Sequence, residues 1–253
     1  MTGLLAGKAA LVTGGSRGLG ATTAEALAAQ GADVAISYVS SADKAAAVVK
    51  KLEGMGVRAL AVRSDQADLS AAGPLIEQVI AAFGRLDILV NNAAVAVQGR
   101  TVDDPDFDTA AHDRQWQVNL MGAIATTRAA APRLTDGGRI IFIGSLLGSH
   151  VPFPGVADYA GTKAALAGYA RGVARDLGPR NITVNVVQPG IMPTDMAASV
   201  TGELPDLEAI LDLHTIRRIA TVEEVADTVG FLAGPSAGYI TGQAINVAGG
   251  LGA

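Results

Sequence analysis

The chain has 253 residues, 49% of them hydrophobic and 17% charged, with a formal net charge of -5. This size and apolar content are enough for one large core, so we expect a single domain over residues 1–253. The sequence pI near 5.2 argues against a surface for nucleic-acid duplexes, which needs a basic stripe to neutralise phosphates. We therefore expect no nucleic-acid partner.

Residue types that bind metals or form disulfides are scarce. There is no cysteine, and His112, His150 and His214 are far apart in the sequence and form no His-x-x-x-His pair. We expect no metal site, and we expect the histidines on the surface or in loops. The N-terminus lacks a basic segment followed by a long apolar run, and no stretch of about 20 apolar residues occurs. These features predict a cytoplasmic protein without membrane contact.

Short apolar runs alternate with longer helical patterns, which is typical of repeated βαβ units around a parallel sheet. The runs look continuous, as expected of strands covered on both faces. They predict strands at Ala9–Thr13, Val34–Tyr38, Ala59–Arg63, Ile88–Asn91, Arg139–Ile143, Ile182–Val187 and Ala244–Val247. Right-handed crossovers would stack these units into an α/β, doubly wound seven-stranded parallel sheet with helices on both faces. The binding crevice is expected outside the carboxyl ends of the strands.

A glycine-rich turn follows the first predicted strand, and the helical pattern of residues 21–30 follows the turn. The turn reads Thr13-Gly14-Gly15-Ser16-Arg17-Gly18-Leu19-Gly20. A helix N-terminus presents backbone N–H groups and a favourable dipole to an anion, and glycines let a phosphate approach closely. The alternative is an ordinary tight βα loop.

An acidic stretch follows the fourth predicted strand, from Thr101 to Asp113. Its alternating aspartates suggest a calcium loop, but Thr109 and Gln115 replace the required Gly and the closing Glu. We expect a solvated loop that leads into a helix.

Tyr159 and Lys163 lie one helical turn apart, near the start of a helix predicted from Tyr159 to Leu177. A cation beside a phenol favours the phenolate, which would bring the pKa of Tyr159 closer to neutrality. Ser145, at the end of the fifth predicted strand, could polarise a carbonyl oxygen from the other side. By itself, the pair is also compatible with a solvated helix face.

These motifs occur in the order and at the spacings of a known family. The turn Gly14-x-x-x-Gly18-x-Gly20 is followed by further motifs, Asn91-Asn92-Ala93, Asn119, Ser145, Tyr159 with Lys163, and Pro189-Gly190. Together they resemble the short-chain dehydrogenases/reductases, including 3-oxoacyl-[acyl-carrier-protein] reductases and NADPH-dependent carbonyl reductases. The resemblance covers about Leu5 to Gly250 and implies a Rossmann-like fold and a nicotinamide cofactor.

The resemblance also implies a catalytic set of Asn119, Ser145, Tyr159 and Lys163. In it, Tyr159 gives a proton to the substrate oxygen while a hydride moves to its carbon, and Ser145 hydrogen-bonds that oxygen. Lys163 favours the phenolate and binds the nicotinamide ribose, and Asn119 orients a water that returns protons to Lys163. The alternatives are a helix-interior amide bonded to backbone for Asn119 and an ordinary strand-end cap for Ser145.

The same resemblance assigns the cofactor contacts. They are Gly14, Ser16, Arg17, Gly18, Leu19, Gly20, Tyr38, Ser40, Ser41, Asp65, Gln66, Asn92, Ala93, Ala94, Tyr159, Lys163, Pro189, Gly190, Ile191 and Thr194. For Asp65 the alternative is a helix N-cap before Leu69, and Ser40 or Ser41 could instead cap the helix that follows them.

The tip of the second predicted strand bears on the choice of cofactor. An acidic side chain there pairs with the 2'-hydroxyl of NAD and repels the 2'-phosphate of NADP. The segment Ser37-Tyr38-Val39-Ser40-Ser41 has no carboxylate, while Arg17 supplies a fixed positive charge and Lys44 a further cation. We therefore expect NADPH or NADP+ in preference to NADH.

The candidates for the substrate pocket are mostly apolar, which suits a hydrophobic ketone or aldehyde. They are Val95, Leu146, Leu147, His150, Phe153, Met192 and Met196, with residues 194–214 as a predicted lid. Two positions depart from the family pattern, Ala94 where the family often has Gly and Ala248 where Asp is common. By resemblance, we expect a homotetramer.

A second class of function stays open. Some relatives with a similar Gly-Gly-rich tail are associated with binding a cyclic dinucleotide and with biofilm dispersal. The intact Ser145, Tyr159 and Lys163 favour an enzyme.

Overall fold

The computed structural model describes residues 3–193 and 207–252. Its strands are β1 (Ala9–Val12), β2 (Asp33–Tyr38), β3 (Ala59–Arg63), β4 (Ile88–Asn91), β5 (Arg139–Ile143), β6 (Thr183–Pro189) and β7 (Ala244–Val247). All pair in parallel, in the order β3-β2-β1-β4-β5-β6-β7. The Rossmann-like, doubly wound seven-stranded sheet predicted from the sequence is confirmed.

The helices are α1 (Gly18–Ala29), α2 (Ala42–Glu53), α3 (Ala72–Phe83), α4 (Thr109–Trp116), α5 (Ala123–Ala130), α6 (Ala157–Leu177), α7 (Leu207–Leu211) and α8 (Val222–Ala233). A π-helical segment, Gln117–Gly122, joins α4 to α5. Apolar side chains form one core on each face of the sheet: α1 and α8 contribute to one core, and α3, α5 and α6 to the other. This two-sided cover explains why the central strands consist of nearly uninterrupted apolar residues.

The strand order reverses between β1 and β4, which are adjacent in the sheet although β2 and β3 intervene in the chain. One half of the sheet extends from β1 toward β3, and the other extends from β4 toward β7. At such a switch point the loops after two neighbouring strands diverge and leave a crevice at the carboxyl edge. The glycine-rich turn after β1 and the Asn92 segment after β4 both lie there.

Two expectations from the sequence are wrong. Burial of every strand on both faces does not hold for the edge strand β7, where Ala244 and Asn246 are exposed, because it pairs only with β6. His112 is buried in α4, at 5% exposure, rather than on the surface or in a loop. His214 does lie in a loop, as expected, although it is buried at 8% exposure. Phe107 stacks on the imidazole of His112, and Nδ1 of His214 lies 2.9 Å from the carbonyl oxygen of Ile210.

The acidic stretch does lead into a helix, as predicted. Asp108 is the N-cap of α4 and accepts a hydrogen bond from the backbone N–H of Ala111. Within the described ranges, no group of three or more His, Cys, Asp or Glu residues could hold a metal ion, and no helix is long and apolar enough to cross a membrane. Of the predicted lid, residues 194–206 lie outside the described residues.

Candidate active site

The turn after β1 has the backbone that a phosphate cradle needs. Gly14 and Gly18 have φ angles of +66° and +52°, which side chains other than glycine rarely adopt. A Cβ on Gly20 would lie 2.4 Å from the carbonyl oxygen of Gly14 and 2.5 Å from Nδ2 of Asn92. A Cβ on Gly18 would meet no atom within 4 Å. Glycine is therefore required for packing at position 20, and the turn is open at position 18, where α1 begins.

Hydrogen bonds fasten this turn to the loop after β4. Oγ1 of Thr13 accepts from the backbone N–H groups of Asn92 and Ala93, each at 3.0 Å. Nδ2 of Asn92 donates to the carbonyl oxygens of Thr13 at 2.8 Å and Gly14 at 3.2 Å. The two sides of the switch point therefore form one rigid unit. Arg17 at the N-cap position of α1 makes no capping hydrogen bond through its side chain, and the dipole of the helix favours an anion at this end.

A cleft of about 380 Å³ runs from this turn along the carboxyl edge of the sheet. Almost all residues predicted to bind the cofactor or carry out catalysis line it. They are Gly14, Ser16, Arg17, Gly18, Leu19, Gly20, Tyr38, Ser40, Ser41, Asp65, Gln66, Asn92, Ala93, Ala94, Ser145, Tyr159, Lys163, Pro189 and Gly190. Strand-end loops distant in sequence converge here because parallel strands present their carboxyl ends at the same edge.

Two of the described predicted site residues do not line this cleft. Ile191 faces a second cavity of about 290 Å³, which also contacts His214 and Arg218. Asn119 is 1% exposed and lies behind the cleft wall. Thr194 lies outside the described residues.

The π-helical segment places the side chain of Asn119 against the cleft wall. Its Oδ1 accepts from the backbone N–H of Val95 at 2.8 Å, and its Nδ2 donates to the carbonyl oxygen of Val95 at 2.9 Å. This is the helix-interior amide bonded to backbone that the sequence left open as the alternative. The pairing fixes Val95, which does line the cleft.

Arg114 is a cleft residue that sequence reasoning missed. Its guanidinium lies 3.3 Å from Oδ2 of Asp65, whose Oδ1 accepts from the N–H of Ala67. Asp65 is not a helix N-cap, because Asp68 caps the short turn that follows. Arg114 and Val118 are four residues apart, and both line the cleft. Residues at this spacing share a helix face, so the helix predicted after the acidic stretch could have indicated that Arg114 and Val118 face the same site.

Neither serine at the end of β2 caps the next helix. Ser41 occupies the N-cap position of α2 but makes no capping hydrogen bond through its side chain, and Ser40 is exposed. Both line the cleft together with Tyr38 and Val39. This end of the cleft therefore has hydroxyl groups and no carboxylate at the strand tip.

The other end of the cleft brings together Ser145, Tyr159 and Lys163. The hydroxyl of Ser145 lies beside the Tyr159 side chain and lowers its pKa slightly. Ser145 also accepts from the N–H of Leu147 at 3.2 Å, so the local cap expected as the alternative is present as well. Nζ of Lys163 lies 5.7 Å from the ring centroid of Tyr159. A Cβ on Gly148 would be 2.8 Å from the backbone carbon of Lys163, so glycine allows the loop after Ser145 to approach α6.

Burial dominates the ionisation of this group of side chains. It raises the pKa of Tyr159 to about 12, and the neighbouring hydroxyl of Ser145 offsets only part of this rise. Burial also lowers the pKa of Lys163 to about 8. The expectation that Lys163 brings the Tyr159 pKa toward neutrality is wrong in this structure. The phenol instead remains protonated at neutral pH.

The substrate side of the cleft is only partly as predicted. Val95 and Met192 line it, whereas Leu146 is buried in a small cluster with Ala248 and Leu251. The alanine at position 248 thus provides an apolar contact where the family commonly has Asp. Leu147, His150 and Phe153 do not line the cleft, and Met196 lies outside the described residues.

Comparisons with known proteins agree with this arrangement. Residues 14–252 match the family model described as Enoyl-(Acyl carrier protein) reductase. A short-chain dehydrogenase from Burkholderia cenocepacia, solved in complex with NADP, superposes with a TM-score of 0.92 at 44% identity, covering 98% of this chain and 99% of that one.

Curated relatives are similar over their whole length. The cyclic-di-GMP-binding biofilm dispersal mediator protein of Escherichia coli is 39% identical over 99% of this chain and 100% of its own. The 3-oxoacyl-[acyl-carrier-protein] reductase of Staphylococcus aureus is 37% identical over 96% of this chain and 98% of its own. With the sheet order, the glycine turn and the full-length similarity established, the chain belongs to the short-chain dehydrogenase/reductase family of oxidoreductases.

Proposed function

We propose that this protein is an NADPH-dependent oxidoreductase that reversibly reduces a ketone or aldehyde to an alcohol. The observation that carries the proposal is the meeting of Ser145, Tyr159 and Lys163 in the same cleft as the glycine turn. A phosphate cradle at one end and a proton donor at the other suit a dinucleotide that presents its reactive end to Tyr159. When bound, the cofactor supplies the hydride.

The roles of the side chains follow from their ionisation and contacts. Tyr159, protonated at neutral pH, donates its phenolic proton to the carbonyl oxygen. Ser145 stabilises the negative charge that develops on that oxygen, because its hydroxyl already lies beside the phenol. The charge of Lys163 stabilises the phenolate that remains. Asn119 acts from behind the cleft by holding Val95.

The preference for NADPH is supported at the tip of β2. The cleft residues Tyr38, Val39, Ser40 and Ser41 include no carboxylate that would repel a 2'-phosphate. Asp65, after the neighbouring strand, is paired with Arg114. The NADP complex of the Burkholderia relative supports the same assignment. The predicted cofactor residues that line the cleft are the proposed contacts.

A second function, binding of a cyclic dinucleotide with little turnover, is favoured by the name of the Escherichia coli relative. Such a ligand carries two phosphates, and Arg17, Arg114 and Lys163 provide positive charge around the cleft. Under this alternative the glycine turn would bind phosphate without hydride transfer.

One paired experiment separates the two functions. A panel of ketones and aldehydes is screened for NADPH consumption, and calorimetry measures binding of cyclic di-GMP to the same preparation. We expect turnover with at least one apolar carbonyl, and its loss in Tyr159→Phe. Micromolar cyclic-dinucleotide binding without turnover on any panel member would favour the alternative.

We further propose that the protein is a homotetramer. The edge strand β7 leaves one side of its ladder unpaired, and its side chains Ala244 and Asn246 are exposed. Light scattering coupled to size exclusion tests this proposal, and a monomeric mass at micromolar concentration would contradict it.

A further inference from the structure

The helical turn that carries Tyr159 lacks a side-chain cap. Val156 occupies the N-cap position of α6 and makes no capping hydrogen bond through its side chain. The first backbone N–H groups of a helix have no intrahelical partner, so an uncapped turn is prone to fray. A proton donor placed there needs another source of order.

Asp158, the residue before Tyr159, is held from the side by α4. The indole Nε1 of Trp116 donates to its Oδ1 at 2.6 Å. Nδ1 of His112 lies 3.0 Å from its Oδ2, an ion-pair distance without the alignment of a hydrogen bond. Asp158 therefore joins the first turn of α6 to two side chains of a different helix.

The partners of Asp158 are themselves packed in place. A Cβ on Gly161 would lie 2.9 Å from the indole carbon Cη2 of Trp116, so the ring rests on the backbone of α6. Phe107 stacks on His112 with ring centroids 4.0 Å apart. The indole and imidazole thus present fixed polar atoms to the carboxylate.

The same segment also holds the cleft wall. His112, Gln115, Trp116 and Asn119 follow the i, i+3, i+4, i+7 spacing of one helix face. Oε1 of Gln115 accepts from the N–H of Val97 at 2.6 Å, and Asn119 pairs with the backbone of Val95. One helix face therefore contacts both the loop that lines the cleft and the turn that carries the phenol.

We propose that Asp158 is a positioning residue for Tyr159, acting through Trp116 and His112. Successive residues of a helix point about 100° apart, so Asp158 can face α4 while Tyr159 faces the cleft. Anchoring the carboxylate then sets the rotation of the turn and the position of the phenolic oxygen. This inference rests on the proposed reductase function for its kinetic consequence, but its geometric consequence is testable without turnover.

Four variants test the contact. Trp116→Phe removes the indole N–H, Gly161→Ala displaces the ring without changing any polar group, and Asp158→Ala removes the carboxylate. Each is expected to lower kcat by roughly tenfold to a hundredfold, since a misplacement of about 1 Å has effects of that size. NADPH affinity is expected to stay within about twofold, because the turn after β1 is untouched. Asp158→Asn, which retains an oxygen that accepts from the indole, should restore most of the kcat lost in Asp158→Ala.

A control variant and a double variant distinguish a positioning role of Asp158 from a general loss of structural stability. Asp113→Ala removes a carboxylate from the exposed face of α4 and should leave kcat unchanged. The double variant Trp116→Phe with Asp158→Ala should be no slower than the worse single variant, because both changes break one contact. Fully additive losses in kcat would overturn the proposal.

A readout at the phenol itself separates this inference from the proposed function. The four tyrosines are replaced with 3-fluorotyrosine, and Tyr159→Phe identifies the Tyr159 fluorine resonance. We expect that resonance to shift or broaden in Trp116→Phe and Gly161→Ala, and to stay fixed in Asp113→Ala. A change at Tyr159 in a protein without turnover would support the positioning role while refuting the reductase. An unchanged Tyr159 resonance with unchanged kcat, even with a lower Tm, would refute the positioning role.

Discussion

The ammonium group of Lys163 donates a 2.9 Å hydrogen bond to the carbonyl oxygen of Ile143, two residues before Ser145. The bond ties α6 to the end of β5, and so fixes the helix that carries Tyr159 relative to the strand end that carries Ser145. Lys163 is only 2% exposed, and its pKa is lowered to about 8 by that burial. A cation held in this way can stabilise a phenolate, but it also costs the fold some stability.

Replacing Tyr159 by Phe should lower carbonyl reduction by roughly 10²–10⁴-fold, because the variant lacks the hydroxyl that we propose as the proton donor. The ring and its packing remain, so NADPH binding followed by fluorescence should be nearly unchanged. Tyr169→Phe is the matched control, since Tyr169 lies on the same helix without lining the cleft. A Tyr159→Phe variant as active as that control would exclude Tyr159 as the donor.

Replacing Lys163 by Met should abolish turnover and stabilise the fold at neutral pH. The folded pKa of about 8 lies below the ordinary 10.5, so the unfolded chain binds the proton more tightly. This difference penalises the folded wild type by about 3 kcal/mol below pH 8. The lost hydrogen bond to Ile143 offsets about 1 kcal/mol of the gain.

The direction in which stability changes with pH tests whether burial destabilises the charged form of Lys163. Between pH 8 and 10.5 the unfolded wild type still holds the Lys163 proton that the folded state has released, so wild-type stability rises relative to Lys163→Met. Urea unfolding of both proteins at several pH values measures the difference in the free energy of unfolding. A difference that stays constant from pH 7 to 10 would contradict the burial effect.

The pH dependence of catalysis should reflect the ionisation of Lys163. We expect kcat/KM for reduction to be level below pH about 8 and to fall above it as Lys163 loses its charge, since Tyr159 stays protonated until about 12. Alcohol oxidation, which needs the proton to leave, should rise over the same range. Lys163→Arg, slower but permanently charged, should show no break near that pH.

Gly20→Ala should weaken cofactor binding and lower Tm. Its Cβ would press on the Gly14 carbonyl and the Asn92 amide, and such overpacking costs roughly 1–3 kcal/mol. Gly73→Ala is the matched control, because a Cβ on this helical glycine would meet no atom within 4 Å and the substitution should gain about 0.5–1 kcal/mol. Equal effects of the two substitutions on NADPH affinity would argue against a rigid cradle at the start of α1.

Val39→Asp should shift the cofactor preference toward NADH. Val39 lines the cleft at the end of β2 and is 42% exposed, so the new carboxylate would repel a 2'-phosphate by about 1–2 kcal/mol. The ratio of kcat/KM for NADPH to that for NADH should therefore fall about tenfold. Val102→Asp, at a 70% exposed position that does not line the cleft, makes the same charge change and should leave the ratio unaltered.

Local sequence patterns predicted the strands and the glycine turn well. β3, β4, β5 and β7 have the predicted bounds. The strand predicted for β6 begins one residue before the observed strand and ends two residues before it. Such elements are encoded by runs of neighbouring residues, so their identity is visible before folding. Burial was harder to predict, as the exposure of β7 and the burial of His112 show.

Contacts between distant segments were the least predictable. The Arg114 pair with Asp65 and the Trp116 bond to Asp158 join residues 49 and 42 positions apart. Neither pair forms a motif in the linear chain, because each depends on how α4 packs against the rest of the fold.

The sequence by itself determined the order of the strands and helices along the chain, the glycine turn, and the grouping of Ser145, Tyr159 and Lys163 in one site. Each of these depends on local residue patterns or on a recognisable motif. Only the tertiary structure decided the pKa values of Tyr159 and Lys163 and the side-chain contacts that hold the first turn of α6. A pKa depends on desolvation and on neighbours from every part of the chain, so the sequence pair suggested a Tyr159 pKa closer to neutrality while the folded site raises it to about 12. The lateral bond from Trp116 to Asp158 likewise exists only when α4 and α6 are packed together.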